Sequence, residues 1–415
     1  MSQRKVLFVT YGGGHVKMVA PVVKALSHRD RDGAAPPGRG EIQVEVLGLT
    51  TAKATLAAAG IDSFGFREFV GPEDQRALEW GRELLAANAS PLITEEESIA
   101  YLAMSFADLV EELGEAEART RYAALGRGAF CPVRTLERVL DRVRPDLVVA
   151  TNSPRAEQAA ILAARRRGIP SLCLVDLFAI EEIKYIGQPG YASRVCVLDE
   201  HVRSRFLAAG RRPEEVIVTG NPAFDGLASP ALQQGGREIR ERPEFRGRKL
   251  LLWVSQPEPA RHRLTGQPGD PSLPVRVRAE LARIVAEHPD WHLIVRPHPS
   301  EDAAGFSSGP NVTVSTQVQP LHPLLAAVDV VICMTSTVGY EAALLGKPLV
   351  HLPLSIYREE ADYTAMGLAR PAPTLNDLKM ALNSVLLQGW QPPVRLETAG
   401  GATQAVVRSI EEWLR

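Results

Sequence analysis

Gly12-Gly13-Gly14-His15 is the stretch of this chain whose residue types best suit chemistry. An imidazole titrates near neutral pH, so a histidine held at a turn can take or return a proton under ordinary conditions. Glycines ahead of it let the backbone turn sharply and let a ligand approach closer than a Cβ would permit. The apolar run Val6–Val9 reads as a parallel strand covered on both faces, and a helix is expected from about Val16 to Leu26. A helix start leaves N–H groups unpaired at its positive end, which suits an anion such as a pyrophosphate, so Gly13 and Gly14 are expected beside one. His15 should then enter the crevice at the carboxyl end of the sheet, where open α/β folds bind ligands. The spacing is not G-x-G-x-x-G, and no acidic residue is placed for a ribose after the second strand, Val44–Leu49. That argues against a dinucleotide site.

Five further segments place polar groups at strand ends. Ser336, Thr337 and Val338 open a helix after an apolar strand, offering hydroxyls and N–H groups to a phosphate. Glu341, one turn further, can accept both hydroxyls of a ribose. Asn221, in Gly220-Asn221-Pro222, sits at a turn after Val216–Thr219, and Ser255-Gln256 follows Leu250–Val254. Arg296 and His298, between two prolines after Trp291–Val295, could clasp a phosphate. Glu359 and Glu360 lie in a charge cluster after Leu349–Leu352.

A chain of 415 residues is too long for one ordinary core, and two domains are expected. Apolar content of 45% with 23% charged residues marks a globular class, and a net charge of −2 points away from nucleic acid. Strand one starts near residue 4, so no targeting segment is expected, nor is a membrane span. Cys131, Cys173, Cys196 and Cys333 lack metal or disulfide spacing, which suggests a reducing cytoplasm.

Strand-like runs at Val6–Val9, Val44–Leu49, Leu147–Ala150, Ser171–Val175, Val195–Leu198 and Val216–Thr219 alternate with helical patterns. They resume at Leu250–Val254, Trp291–Val295, Val312–Ser315, Val328–Cys333 and Leu349–Leu352. Such alternation implies an α/β architecture of parallel sheets with helices on both faces. Residues 71–135 read as a helical insertion in a first domain, 1–226. Residues 227–247 read as a linker or mobile loop opening a second domain, 227–415, and 256–274 as a long loop. The last helix, about Thr403–Leu414, is expected to pack back on the first domain.

The order of these motifs resembles the inverting glycosyltransferases of the GT-B fold, with two Rossmann-like domains facing each other across a cleft. It is most similar to the family of the undecaprenyl-pyrophosphoryl-muramoylpentapeptide N-acetylglucosaminyltransferase and the plant galactolipid synthases. The carriers are Gly12-Gly13-Gly14-His15, Gly168-Ile169-Pro170, Gly220-Asn221-Pro222, Ser255-Gln256, and Glu341 with Gly346-Lys347-Pro348 and Pro353. The resemblance implies His15 as catalytic base, Glu341 on the ribose and Ser255 near the donor phosphates. Three features depart from the family pattern. Phe224 replaces a phosphate-binding arginine, Glu359 and Glu360 align with glutamines that read the donor hexose, and Val254-Ser255-Gln256-Pro257 replaces a Gly-Ser-Gln-Gly loop. Arg296-Pro297-His298-Pro299 is instead similar to UDP-N-acetylglucosamine 2-epimerases and to the glycerophosphate and Kdo transferases of the wider superfamily.

The expected function is metal-independent glycosyl transfer with inversion in polysaccharide or glycolipid biosynthesis. The nucleotide-sugar, of the UDP type, serves as co-substrate, and no other cofactor is implied. The alternative is a UDP-N-acetylglucosamine 2-epimerase, with Asp176, Glu181 and Glu182 as proton-transfer candidates, and a further one is a non-catalytic nucleotide-sugar-binding protein. A nucleobase pocket is expected around Gln317–Leu321, and acceptor recognition in the insertion. Peripheral contact with the inner face of a membrane is left open by the Leu, Phe and Arg residues there.

Overall fold

The computed structural model describes residues 3–31, 42–86, 88, 92–262, 265–302, 305–316, 318–396 and 400–415. Gln317, expected at the nucleobase, lies outside them, as do 87 and 89–91 of the insertion. The chain is a two-domain α/β protein that divides into the compact units Met1–Ala223 with Gly401–Arg415, and Phe224–Gly400.

The first unit holds a six-stranded parallel sheet of β1 (Arg4–Thr10), β2 (Ile42–Gly48), β3 (Leu147–Thr151), β4 (Ser171–Leu174), β5 (Arg194–Val197) and β6 (Val216–Val218). Its order is β2-β1-β3-β4-β5-β6. Phe8 sits opposite Val46 on one side and Val149 on the other. Val6 through Val9 are all fully buried, because a parallel sheet is covered on both faces and each strand must be apolar throughout. The chain leaves β1 toward β2 and later returns on the opposite side at β3, which makes the β1–β3 ends a topological switch point.

Between β2 and β3, helices Gln75–Leu85, Glu95–Leu113, Glu115–Leu125 and Val133–Val143 form the insertion, with no strand among the described residues of 71–135. Thr94 caps the second of these, accepting from Glu97 N, with Glu95, Glu96 and Glu97 on the favourable end of the dipole. Helix Ala402–Trp413 buries Val406, Val407 and Ile410 in the same core as Val16, Val19 and Val22 of helix Gly14–Arg31.

The second unit repeats the plan with β7 (Lys249–Val254), β8 (Trp291–Arg296), β9 (Val312–Val314), β10 (Val330–Cys333), β11 (Leu349–His351) and β12 (Arg370–Pro371), in the order β12-β11-β10-β7-β8-β9. Here the switch point lies between β7 and β10. Residues 227–247, expected as a linker, instead contain helix Pro230–Arg240, with Ser229 as N-cap and Pro230 at its first position. Leu232 and Ile239 bury one face of it, which a polar average over the segment conceals. The charge cluster 358–362 forms no helix, and its first three residues are turns. No helix among the described residues is long and apolar enough to cross a membrane.

Candidate functional site

In the first unit the site is built on the turn that follows β1. A Cβ on Gly12 would lie 1.7 Å from Thr51 Oγ1, so only glycine allows the chain to pass there. Gly13 takes φ +70°, in the left-handed region. The turn delivers His15 as the second residue of helix Gly14–Arg31. Its Nδ1 lies 2.8 Å from Oγ1 of Thr151, the last residue of β3. Burial lowers the His15 pKa below the ordinary imidazole value, with Asp176 and Glu182 pulling the other way. The ring is therefore neutral at pH 7 and able to accept a proton. Asp176 follows β4 and flanks the same turn, since its Oδ2 would lie 3.8 Å from a Cβ on Gly14.

A fully buried carboxylate stands behind this imidazole. Glu157 accepts from Tyr11 N at 2.9 Å through Oε1 and is 0% exposed. Burial raises its pKa to about 7, against the Tyr11 amide, the Thr151 and Ser153 hydroxyls and the Arg155 charge. The Tyr11 hydroxyl meets that of Tyr101 at 2.7 Å, which ties helix Glu95–Leu113 of the insertion to the glycine turn. Arg155 lies 4.6 Å above the Tyr11 ring, at φ +73°, a conformation that costs a non-glycine residue about 1–2 kcal/mol.

The second unit carries its polar groups at its own switch point. Gln256, after β7, binds Thr335, after β10, at two points: Oε1 accepts from Thr335 N at 2.9 Å and Nε2 donates to Thr335 Oγ1 at 2.7 Å. This joins the Ser255-Gln256 corner to the Thr335–Val338 turn that opens helix Val338–Leu344. The Tyr363 hydroxyl donates to Ser336 O at 2.7 Å and steadies that turn. Glu341 is 9% exposed, and its Oε2 lies 2.6 Å from His322 Nε2. Glu301 accepts from Ser255 Oγ at 2.9 Å and from His298 N at 2.7 Å. Among the described residues no group of three His, Cys, Asp or Glu side chains is placed to hold a metal ion.

Several expected ligand groups have other occupations. Arg296, expected at a phosphate, is 8% exposed, and its Nη1 donates to Ser315 Oγ at 2.9 Å, to Gln319 O at 2.8 Å and to Thr316 O. It clamps the 315–319 segment because a buried guanidinium needs acceptors on every side. Asn221 is buried with Oδ1 accepting from Ala223 N at 2.9 Å, which shapes the turn after β6. The Ser255 hydroxyl is engaged by Glu301, as above. Glu360 binds His262 Nε2 at 3.1 Å, whereas Glu359 is exposed. Phe224 lies face to face with Tyr340, ring centres 6.4 Å apart. Thr151, Glu157, Glu301 and His322 were not singled out from sequence. The buried polar run Thr151-Asn152-Ser153 at a strand end was the available signal for the first two, and the others had none.

Neither a protein-family model nor a curated protein sequence matches this chain. Solved structures do. The UDP-GlcNAc 2-epimerase from Neisseria meningitidis, solved with UDP-GlcNAc, is 15% identical, with 98% of this chain and 100% of that one covered at TM-score 0.60. The UDP-GlcNAc 2-epimerase from Methanocaldococcus jannaschii is 13% identical, covering 98% and 99% at TM-score 0.59. The calicheamicin glycosyltransferase CalG4 is 17% identical, covering 100% and 99% at TM-score 0.52. At these identities the likeness is one of fold alone: a two-domain α/β chain with two six-stranded parallel sheets, as in these epimerase and glycosyltransferase structures.

Proposed function

We propose that this chain is an enzyme acting on a nucleotide-sugar of the UDP type, and that it inverts a sugar carbon next to the anomeric centre, as a UDP-GlcNAc 2-epimerase does. The observation that carries this reading is a buried, neutral imidazole, His15, at the turn after β1, with the carboxylates of Asp176 and Glu182 near enough to oppose the lowering of its pKa. Inversion at C2 removes a proton from one face and returns one to the other, so it needs at least two groups that exchange protons. Displacement at the anomeric carbon needs only one base. The fold likeness to two epimerases supports the same choice, which places the transferase expectation second.

The second unit would hold the nucleotide. Glu341, oriented by His322, accepts the ribose hydroxyls, and the N–H groups and hydroxyls of Ser336–Val338 face the diphosphate. Inverting glycosyl transfer remains the second reading because CalG4 shares the fold. In that case His15 takes the acceptor hydroxyl's proton as the oxygen attacks the anomeric carbon and the nucleoside diphosphate departs.

Incubation with UDP-GlcNAc in D2O, without acceptor, separates the two. Epimerisation gives deuterium at C2 together with the C2 epimer. Transfer gives no exchange, and releases UDP only when an acceptor alcohol is supplied. His15→Ala is expected to cut turnover by about 100-fold or more while leaving UDP affinity within about threefold. Equal loss of both would remove His15 from the chemistry.

A further inference from the structure

We infer that Glu157, acting through the Thr151 hydroxyl, fixes the tautomer of His15, holding a proton on Nδ1 and leaving Nε2 as the proton acceptor. The inference rests on the proposed role of His15 and assigns Glu157 as a positioning residue. A threonine hydroxyl has one hydrogen, and Thr151 Oγ1 is 2.8 Å from His15 Nδ1. If that hydrogen points at Nδ1, the imidazole must carry its own proton on Nε2 and cannot act there as a base. If Thr151 accepts from Nδ1–H, its hydrogen needs another acceptor in a fully buried place. Glu157 is that acceptor. The Thr151 and Ser153 hydroxyls favour its charged form, Oε1 accepts from the Tyr11 amide at 2.9 Å, and the buried Oε2 has no hydrogen-bond partner. A buried carboxylate oxygen left so is costly, which drives the Thr151 hydrogen toward it.

The titratable or charged groups facing Glu157 are Arg155 from its own turn, Tyr11 after β1, His15 across Thr151, Cys173 in β4, and Tyr185 and Tyr191 beyond it. Burial raises the pKa of both the thiol and all three phenols. At pH 8 they are neutral, and Glu157 is mostly ionised.

The test uses the full chain labelled with 15N-histidine at pH 8, with the His15 signals assigned from a His15→Asn variant. Ring nitrogens that bear a proton and those that do not resonate far apart. Wild type is expected to show the Nδ1–H form. Glu157→Gln keeps the shape, but the Tyr11 amide must retain the carbonyl oxygen, so the NH2 takes the other position and donates toward Thr151. The Thr151 hydrogen then turns to Nδ1, and His15 moves to the Nε2–H form. Turnover should fall about tenfold or more, with UDP affinity within twofold. Thr151→Val should show the same two effects, and Thr151→Ser should restore the wild-type form. Wild type already in the Nε2–H form, or an unchanged tautomer in both Gln and Val variants, overturns the inference whatever the activity. If His15→Ala keeps full turnover, the functional reading fails instead, and the tautomer data still decide the relay.

Discussion

A carboxylate buried at Glu157 has a thermodynamic signature that can be read apart from catalysis. Its pKa in the folded chain is about 7, against an ordinary value of 4.5. Below pH 4.5 both folded and unfolded chains hold the proton, and burial of the neutral acid carries no ionic cost. As the pH rises from there through 7, the unfolded chain ionises first and folding stability is lost, by about 3 kcal/mol at pH 8. Glu157→Gln escapes that loss. Urea unfolding should show the variant gaining on wild type between pH 5 and pH 8. A stability difference that does not change with pH would show that Glu157 titrates normally. A variant that is more stable at pH 8 and slower in turnover is the behaviour expected where a site holds a costly group for its chemistry.

The elements around the site divide into those visible in sequence and those visible only in three dimensions. Ile410, on helix Ala402–Trp413, is fully buried in the first core. Ile410→Ala should cost about 2–5 kcal/mol, because both the transfer energy and a cavity are lost. Unfolding followed by probes in the first unit checks this, and a cost under about 1 kcal/mol would mean the helix is not part of that core. All eleven strand-like runs read from sequence are strands, because parallel strands buried on both faces leave unbroken apolar runs. The twelfth, Arg370–Pro371, is two residues with a proline and gives no such run. Helix Pro230–Arg240 was missed because only Leu232, Gly236 and Ile239 of its residues are buried. The histidine turn was legible because a glycine close approach and a positive φ both leave glycines behind. Glu157 was not, since a glutamate in the first turn of an alanine-rich helix reads as a favourable dipole partner on the surface. The hydrogen bonds of Arg296 were not legible either: residue type tells of charge, whereas its partners Ser315, Thr316 and Gln319 lie twenty or so positions away.

At the level of the whole molecule, the two units carry different kinds of group. The first gathers the titratable side chains His15 and Glu157 by the β1–β3 switch point, and the second gathers hydroxyls, amides and the His322–Glu341 pair. Saturating UDP should therefore slow amide hydrogen exchange at 335–341 and 318–322 more than at 11–16. Glu341→Ala should weaken UDP binding by about tenfold or more, in keeping with loss of charge-assisted bonds. Protection confined to the first unit would remove the nucleotide assignment.

The first unit is discontinuous in sequence, and this orders events at the ribosome. Residues 224–371, which hold all six strands of the second sheet, leave the exit tunnel before the helix 402–413 that the earlier unit still lacks. Until that helix emerges, the groove left by Val406, Val407 and Ile410 exposes Val16, Val19 and Val22 to solvent, an opening for chaperone capture or misassembly. Translation slowed just ahead of codon 402 would lengthen this vulnerable interval, and the nascent protein would be more readily cut by protease in its older half than in its younger one.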